Sequence, residues 1–221
     1  MAAQITTYGG LRSAILDWLA RPADQLLDSR FDDFLMNCER RLYYGYAAAD
    51  PANPLRSDPL RIVEMETLDP AVALSAVTAQ PAGFLELISA QLNSPATPLQ
   101  VVSQRTIDAY AGRDMGSPRL IAVSGGNFRV KEDPAGAPAT LRFYRKLATP
   151  SAAGANAILT SYPDVYLYGC LVEASVFSQD EAAGTRYLGL YNTSVAGLNA
   201  RTERLAASVS PVIRNPAGPA P

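Results

Sequence analysis

The sequence predicts an α+β fold: a four-helix bundle formed by N- and C-terminal helix pairs, with an inserted small antiparallel β domain. Three observations carry this expectation. Apolar residues recur at helical spacing near both ends of the chain, while the middle breaks into short β-prone runs punctuated by Pro, Gly, Asn and Asp. The chain has 221 residues, 48% of them hydrophobic, which suffices to bury a core without disulfide or metal staples. The expected boundaries are 1–59 and 150–208 for the helical bundle, 60–149 for the β domain, and 209–221 for an extended or disordered tail.

The first helix is predicted from Tyr8 to Ala20, with Thr6 or Thr7 as cap, Leu11, Ile15, Trp18 and Leu19 as its apolar stripe, and Arg21-Pro22 as its stop. The second runs from Asp28 to Tyr44. There Phe31, Phe34, Leu35, Cys38 and Leu42 fall on one side, and Asp32, Asp33, Glu39 and Arg40 on the other. Gly45 then loosens the backbone, and Asp50-Pro51, Asn53-Pro54 and Asp58-Pro59 make a turn-rich connection.

From Leu60 to Ala148 the runs RIVEMETL, ALSAVTA, FLELISAQL, LQVVS, RLIAV, NFRVKE and TLRFYRK read as strands. Leu141 and Phe143 alternate with Arg142 and Tyr144, as expected of a half-buried strand. Ser124-Gly125-Gly126-Asn127 reads as a tight hairpin, because a phosphate-cradling loop would need a Lys-Ser/Thr ending and a following helix. A short helix, Arg105 to Ala111, capped by Ser103 or Gln104, interrupts the strands.

After the linker PSAAGANA (150–157), a helix starts at "SYPD" and runs to Ser178. Ser161 or Tyr162 is its cap, Pro163 occupies the first turn, and Asp164 faces the positive end of the helix dipole. Tyr162, Tyr166 and Tyr168 supply rigid surface with a hydroxyl handle, suited either to the edge of the chain's own core or to a subunit contact. A last helix spans Asp180 to Ala207, with Tyr187, Leu190, Tyr191, Ser194, Leu198 and Leu205 on one side. Gly184, Gly189 and Gly197 inside it predict a kink or a break.

Composition excludes several function classes. A formal charge of −2 removes the usual footprint of a protein that grips nucleic acid, and the absence of histidine removes the commonest general base and metal ligand. No apolar run approaches a membrane span and the N-terminus lacks signal-peptide character, so the expectation is a protein that stays in the cytoplasm where it is made, with no membrane partner. Cys38 and Cys170 read as small buried hydrophobes. Glu64 and Glu66 on one strand face admit a cation or acid/base reading, but a solvated face explains them better. Arg40-Arg41 with Tyr43, Tyr44 and Tyr46 admits a nucleic-acid patch, yet on an acidic chain the preference of Arg for a helix C-terminus plus aromatic packing is the better account. No catalytic, metal or cofactor site is expected.

The order of segments, from "TYGGLRSAILDWLAR" and "CERRLYYGY" through a β middle to "ILTSYPDVYLYGCLVEASVFSQDE", resembles the head-to-tail adaptor (connector) proteins of tailed bacteriophages. In "QPAGFLEL" (80–87), Pro81 and Phe84 match an "LPxDF"-like segment of the family, whereas Gly83 replaces its acidic residue. The resemblance implies a structural virion protein at the head-tail junction, assembled in the host cytoplasm as a homo-oligomeric ring, a dodecamer in the family. Its implied partners are the portal protein and a tail or nozzle protein, with DNA passing through the lumen without specific binding; since phosphate must slide past the wall, and Asp and Glu are in excess, a neutral or acidic wall is expected. Tyr162, Tyr166, Tyr168, Arg40, Arg41 and Tyr44 are candidates for subunit or portal contact, together with Val209, Val212, Ile213 and Arg214 of the Pro-rich tail. Two rival readings are a tail-completion or stopper ring, and a β-domain module that binds a glycan or host factor through Phe128, Phe143, Tyr144 and Tyr110.

Overall fold

A computed structural model of the chain describes residues 5–46, 56–113 and 116–208. The chain divides into a helical unit, 1–63 with 149–221, and a β unit, 64–148. Among the described residues, seven α-helices and one seven-stranded sheet give a mixed α+β fold.

In the helical unit, α1 (Tyr8–Trp18) is capped by Thr7, whose hydroxyl accepts from the Gly10 amide, and ends two residues before the expected Ala20. Ala20 adopts a positive φ of 54°, and the Arg21 amide closes back on the Leu16 carbonyl at 2.9 Å. The single helix expected over 28–44 is instead two: α2 (Gln25–Ser29), capped by Asp24, and α3 (Phe31–Tyr44), separated at Arg30, where ψ is 4°. The Asp24 carboxylate starts a turn of its own by accepting from the Leu26 and Leu27 amides, and the Arg12 guanidinium clasps Asp28 from α1. Gly45 ends α3 at φ 69° and ψ −175°, a conformation reserved for glycine. A Cβ there would lie 2.7 Å from the Ser57 carbonyl oxygen, so this glycine fixes the chain rather than loosening it. Pro51 and Pro54, placed by sequence in a turn-rich connection, lie outside the described residues.

The returning chain forms α5 (Ala157–Ser161), capped by Asn156, then α6 (Pro163–Phe177) and α7 (Glu181–Ser208). Tyr162 holds the cap position of α6, but its side chain does not accept from the first-turn amides of the helix. α6 buries Val165, Leu167, Cys170, Leu171, Val172 and Ala174 around much of its circumference, because it packs against α1, α3, α5 and α7 in turn. α7 is one continuous helix, so it is not broken into two pieces at its glycines. Gly189 and Gly197 have open space where a Cβ would go, and at Gly184 a Cβ would meet the Ser175 Cβ at an ordinary 3.6 Å. Its core face is Tyr187, Leu188, Tyr191, Val195 and Thr202, whereas Leu190 and Leu205, expected inside, point outward.

In the β unit, a 3-10 turn at Val63–Met65 replaces the start of the first expected strand, so Glu64 and Glu66 do not share a strand face. The strands are β1 (Glu66–Leu74), β2 (Val77–Ala79), β3 (Phe84–Asn93), β4 (Ala96–Val102), β5 (Leu120–Ser124), β6 (Asn127–Lys131) and β7 (Ala137–Arg145), ordered β1-β7-β3-β4-β5-β6-β2. The expected all-antiparallel sheet needs one correction: β4 and β5 are parallel. The segment between them, carrying α4 (Gln104–Ala109) with its Ser103 cap, is long enough for the crossover that a parallel pair demands. β1 and β2 are the two edges of the sheet yet are joined through only Ser75 and Ala76, so the sheet curls until its edges meet. Leu74, Leu87, Leu92, Ile121, Phe128, Leu141 and Phe143 fill the interior of the curl. Gly125 and Gly126, both at positive φ, make the two-residue turn between β5 and β6.

Because Gly189 and Gly197 are helical, solvent-facing and unobstructed, Gly189→Ala and Gly197→Ala should each raise stability by up to about 1 kcal/mol in denaturant unfolding. A loss of stability from both would show that α7 bends at these positions in solution.

Candidate interaction surfaces

The α3–α6 seam is built on a close approach. Gly169 of α6 faces Cys38 of α3 so tightly that a Cβ at 169 would lie 2.4 Å from the Cys38 sulfur. Beside it, the fully buried Tyr166 hydroxyl donates to Glu39 Oε1 at 3.0 Å and accepts from Asn156 Nδ2 at 2.8 Å. Glu39 also accepts from the Thr149 hydroxyl at 2.6 Å, and Asn156 Oδ1 caps α5 through the Leu159 amide. A buried carboxylate is tolerated here because hydrogen bonds replace its water. Further along the seam, Arg41 pairs with Glu173 at 2.9 Å, and Phe34 meets Phe177 edge-on with ring centroids 5.6 Å apart.

Burial pushes the Tyr166 phenol far above its ordinary value of 10.0, with the charges of Tyr43 and Glu39 adding to the effect. Burial likewise raises Tyr191, whose hydroxyl has no hydrogen-bond partner, and the Cys170 thiol beside Cys38. These groups stay protonated and are closed to solvent. Among the described residues, no cluster of Cys, Asp and Glu has metal-ligand geometry, and no helix is long and apolar enough to cross a membrane.

The structure separates the residues picked from sequence. Tyr166 is a core residue, not a surface one, since it is wholly buried. Arg41 has a side chain only 12% exposed and is taken up by Glu173 and the Tyr46 ring. Tyr162 is half-buried and accepts from Arg201 Nη1 at 2.7 Å, and Tyr168 packs edge-on against Trp18. Arg40 and Tyr44 are exposed on α3. Val209, Val212, Ile213 and Arg214 lie outside the described residues. Phe128 and Phe143, invoked for a glycan-binding face, sit in the β core, which withdraws the main aromatic surface of that reading.

Sequence reasoning missed three residues. Glu39, assigned to the solvent side, lies four residues after Leu35 and so shares its inward stripe. Gly169 interrupts an otherwise strong helix, which signals a close approach. Asn156, read as linker, caps α5.

Gly169→Ala should cost about 1–3 kcal/mol or more through overpacking against Cys38, measured by denaturant unfolding. Tyr166→Phe should cost about 1–3 kcal/mol by stripping hydrogen bonds from Glu39 and Asn156, whereas Tyr191→Phe, with no such bond to lose, should be near neutral. The raised Tyr166 pKa favours the protonated form in the folded state, so its stabilisation is complete below pH 10.0 and is lost as pH rises above that value. Phenolate absorbance of the buried tyrosines should therefore appear together with unfolding, and Tyr166→Phe should flatten the alkaline decline.

The fold and seam can be set beside known proteins. No curated protein matches the chain. The family model described as "SU10 adaptor protein" matches residues 6–215, nearly the whole chain and both units. The protein therefore belongs to the SU10 adaptor family, and is a bacteriophage structural adaptor, a component of the virion that works against other phage structural proteins.

Proposed function

We propose that the chain is one subunit of a homo-oligomeric ring, a dodecamer by its resemblance to connectors, that joins the portal vertex of the capsid to the tail while DNA passes through its lumen. The observation that carries this reading is the family match over residues 6–215. In this reading α1, α3, α6 and α7 act as one bundle centred on α6, rigid enough to transmit load between portal and tail. The exposed apolar residues of the helical unit, among them Met36, Tyr44 and Val176, supply contact area that a solitary subunit has no use for.

The protein works without catalysis. It has no histidine, and Glu39, the buried carboxylate among the described residues, is occupied by structural hydrogen bonds. With 21 acidic against 19 basic residues, the ring wall lets phosphate slide instead of holding it.

Negative-stain imaging of the purified protein mixed with its portal should show rings stacked on the portal, and a tight, salt-sensitive complex with duplex DNA would contradict the sliding lumen. The Pro-rich tail, read from sequence as a portal anchor, gives a second test. Deleting residues 209–221 should leave the thermal melt nearly unchanged and weaken assembly onto portal-bearing heads. Wild-type completion of heads by the truncated protein would move the portal contact to the helices.

A further inference from the structure

Beyond Trp18, the groove between α6 and α7 lies open. Trp18 fills one stretch by packing on Tyr168 and Tyr187, with ring centroids 5.9 and 6.4 Å away. Toward the α6–α7 elbow no described residue takes its place, leaving a groove of about 670 Å³. Its lining includes Val172, Ser175, Val176, Asp180, Glu181 and Gly184. Three features mark it as unfinished. Val176 is 63% exposed although it adjoins the buried Val172. The Ser175 hydroxyl is fully buried at the groove and has no hydrogen-bond partner. The ionised groups in the lining, Asp180 and Glu181, are both acidic.

The same chain carries a matching shape elsewhere. Met36, Arg40 and Tyr44 stand at i, i+4 and i+8 on α3 and form one ridge, with Met36 62% and Tyr44 65% exposed. Arg40, exposed at the centre of the ridge, has no acidic partner among the described residues. Ridge and groove occupy different sides of the helical unit. α6 meets α3 through Tyr166, Gly169, Glu173 and Phe177, whereas Val172, Ser175 and Val176 lie roughly a third of a turn away around its axis.

We propose that the α3 ridge of one copy seats in the α6–α7 groove of the next, with the Arg40 guanidinium meeting Asp180 and Glu181, and Met36 and Tyr44 covering Val172 and Val176. Two different, complementary surfaces on non-overlapping faces make a head-to-tail contact, the kind that propagates around a ring instead of closing on itself as a two-fold dimer. Charge complementarity selects this occupant: the groove is acidic and apolar, the ridge basic and apolar. The proposal rests on the ring reading and supplies its subunit interface.

The test uses the full chain, both purified at high concentration and in assembled particles. Cys38 and Cys170 are wholly buried, so M36C/V176C adds the reactive thiols. A mild thiol oxidant should then give a ladder of two, three and more covalent copies, with the 36–176 link identified by mass spectrometry. Either single variant should stay monomeric on the gel. Independently, Arg40→Glu and Glu181→Arg should each reduce multimers, and the R40E/E181R pair should restore them. Asp180 is left intact because its carboxylate caps α7 through the Ala183 amide. Self-linking of the V176C single variant, or rings lacking the 36–176 link, would overturn this interface and leave the ring reading standing. Absence of multimers and rings in both preparations would overturn both.

Discussion

The fold of the helical unit depends on how closely α3 and α6 approach at Gly169. With no Cβ on α6, the Cys38 sulfur can sit against its backbone, and that distance lets Tyr166 reach Glu39 and Arg41 reach Glu173. Seam residues come from positions 34–41 and 166–177, so one contact closes the chain across the whole inserted β unit. Such a long-range closure costs chain entropy before any contact repays it, which explains why apolar packing and buried hydrogen bonds are concentrated at one place. The Thr149 hydroxyl on Glu39 ties the returning chain to the seam at the point where it re-enters the helical unit.

From that seam outward, burial falls and chemistry changes. Tyr166 and Tyr191 are interior, Tyr162 and Tyr168 are half-covered, and Tyr44 stands in solvent. The tyrosine-rich start of α6 therefore serves mainly to hold the subunit together: one ring anchors the core, a second accepts from Arg201, and a third receives Trp18. The exposed apolar residues that the proposed subunit contact draws on lie away from that start, on the outer side of α3 and at the C-terminal end of α6.

Much of this was legible in the sequence because local signals had no competitor. Thr7, Ser103, Pro163 and the Gly125-Gly126 turn mark their elements by short-range geometry, and the alternation of Leu141 and Phe143 with Arg142 survives intact. What sequence reading lost was decided by tertiary contact. Asp24 and the Arg12–Asp28 pair split one expected helix into two, and tertiary packing chose Leu188 and Val195 over Leu190 and Leu205 for the core of α7. The parallel β4–β5 pair depends on a crossover whose direction no local signal records. Of the residues picked for a contact surface, Arg40 and Tyr44 are exposed, whereas Tyr166 and Arg41 are taken up inside the subunit, because a half-polar side chain has the same sequence signature at a core boundary and at an interface.

Cryo-electron microscopy of the intact particle at the head-tail junction tests the functional reading most directly. The expected result is a ring of this chain in contact with the portal on one side and the tail on the other, with the helical units adjacent around the ring. Density for this chain one layer lower, touching only tail proteins, would make it a stopper component, and its absence from the junction would contradict the adaptor reading altogether.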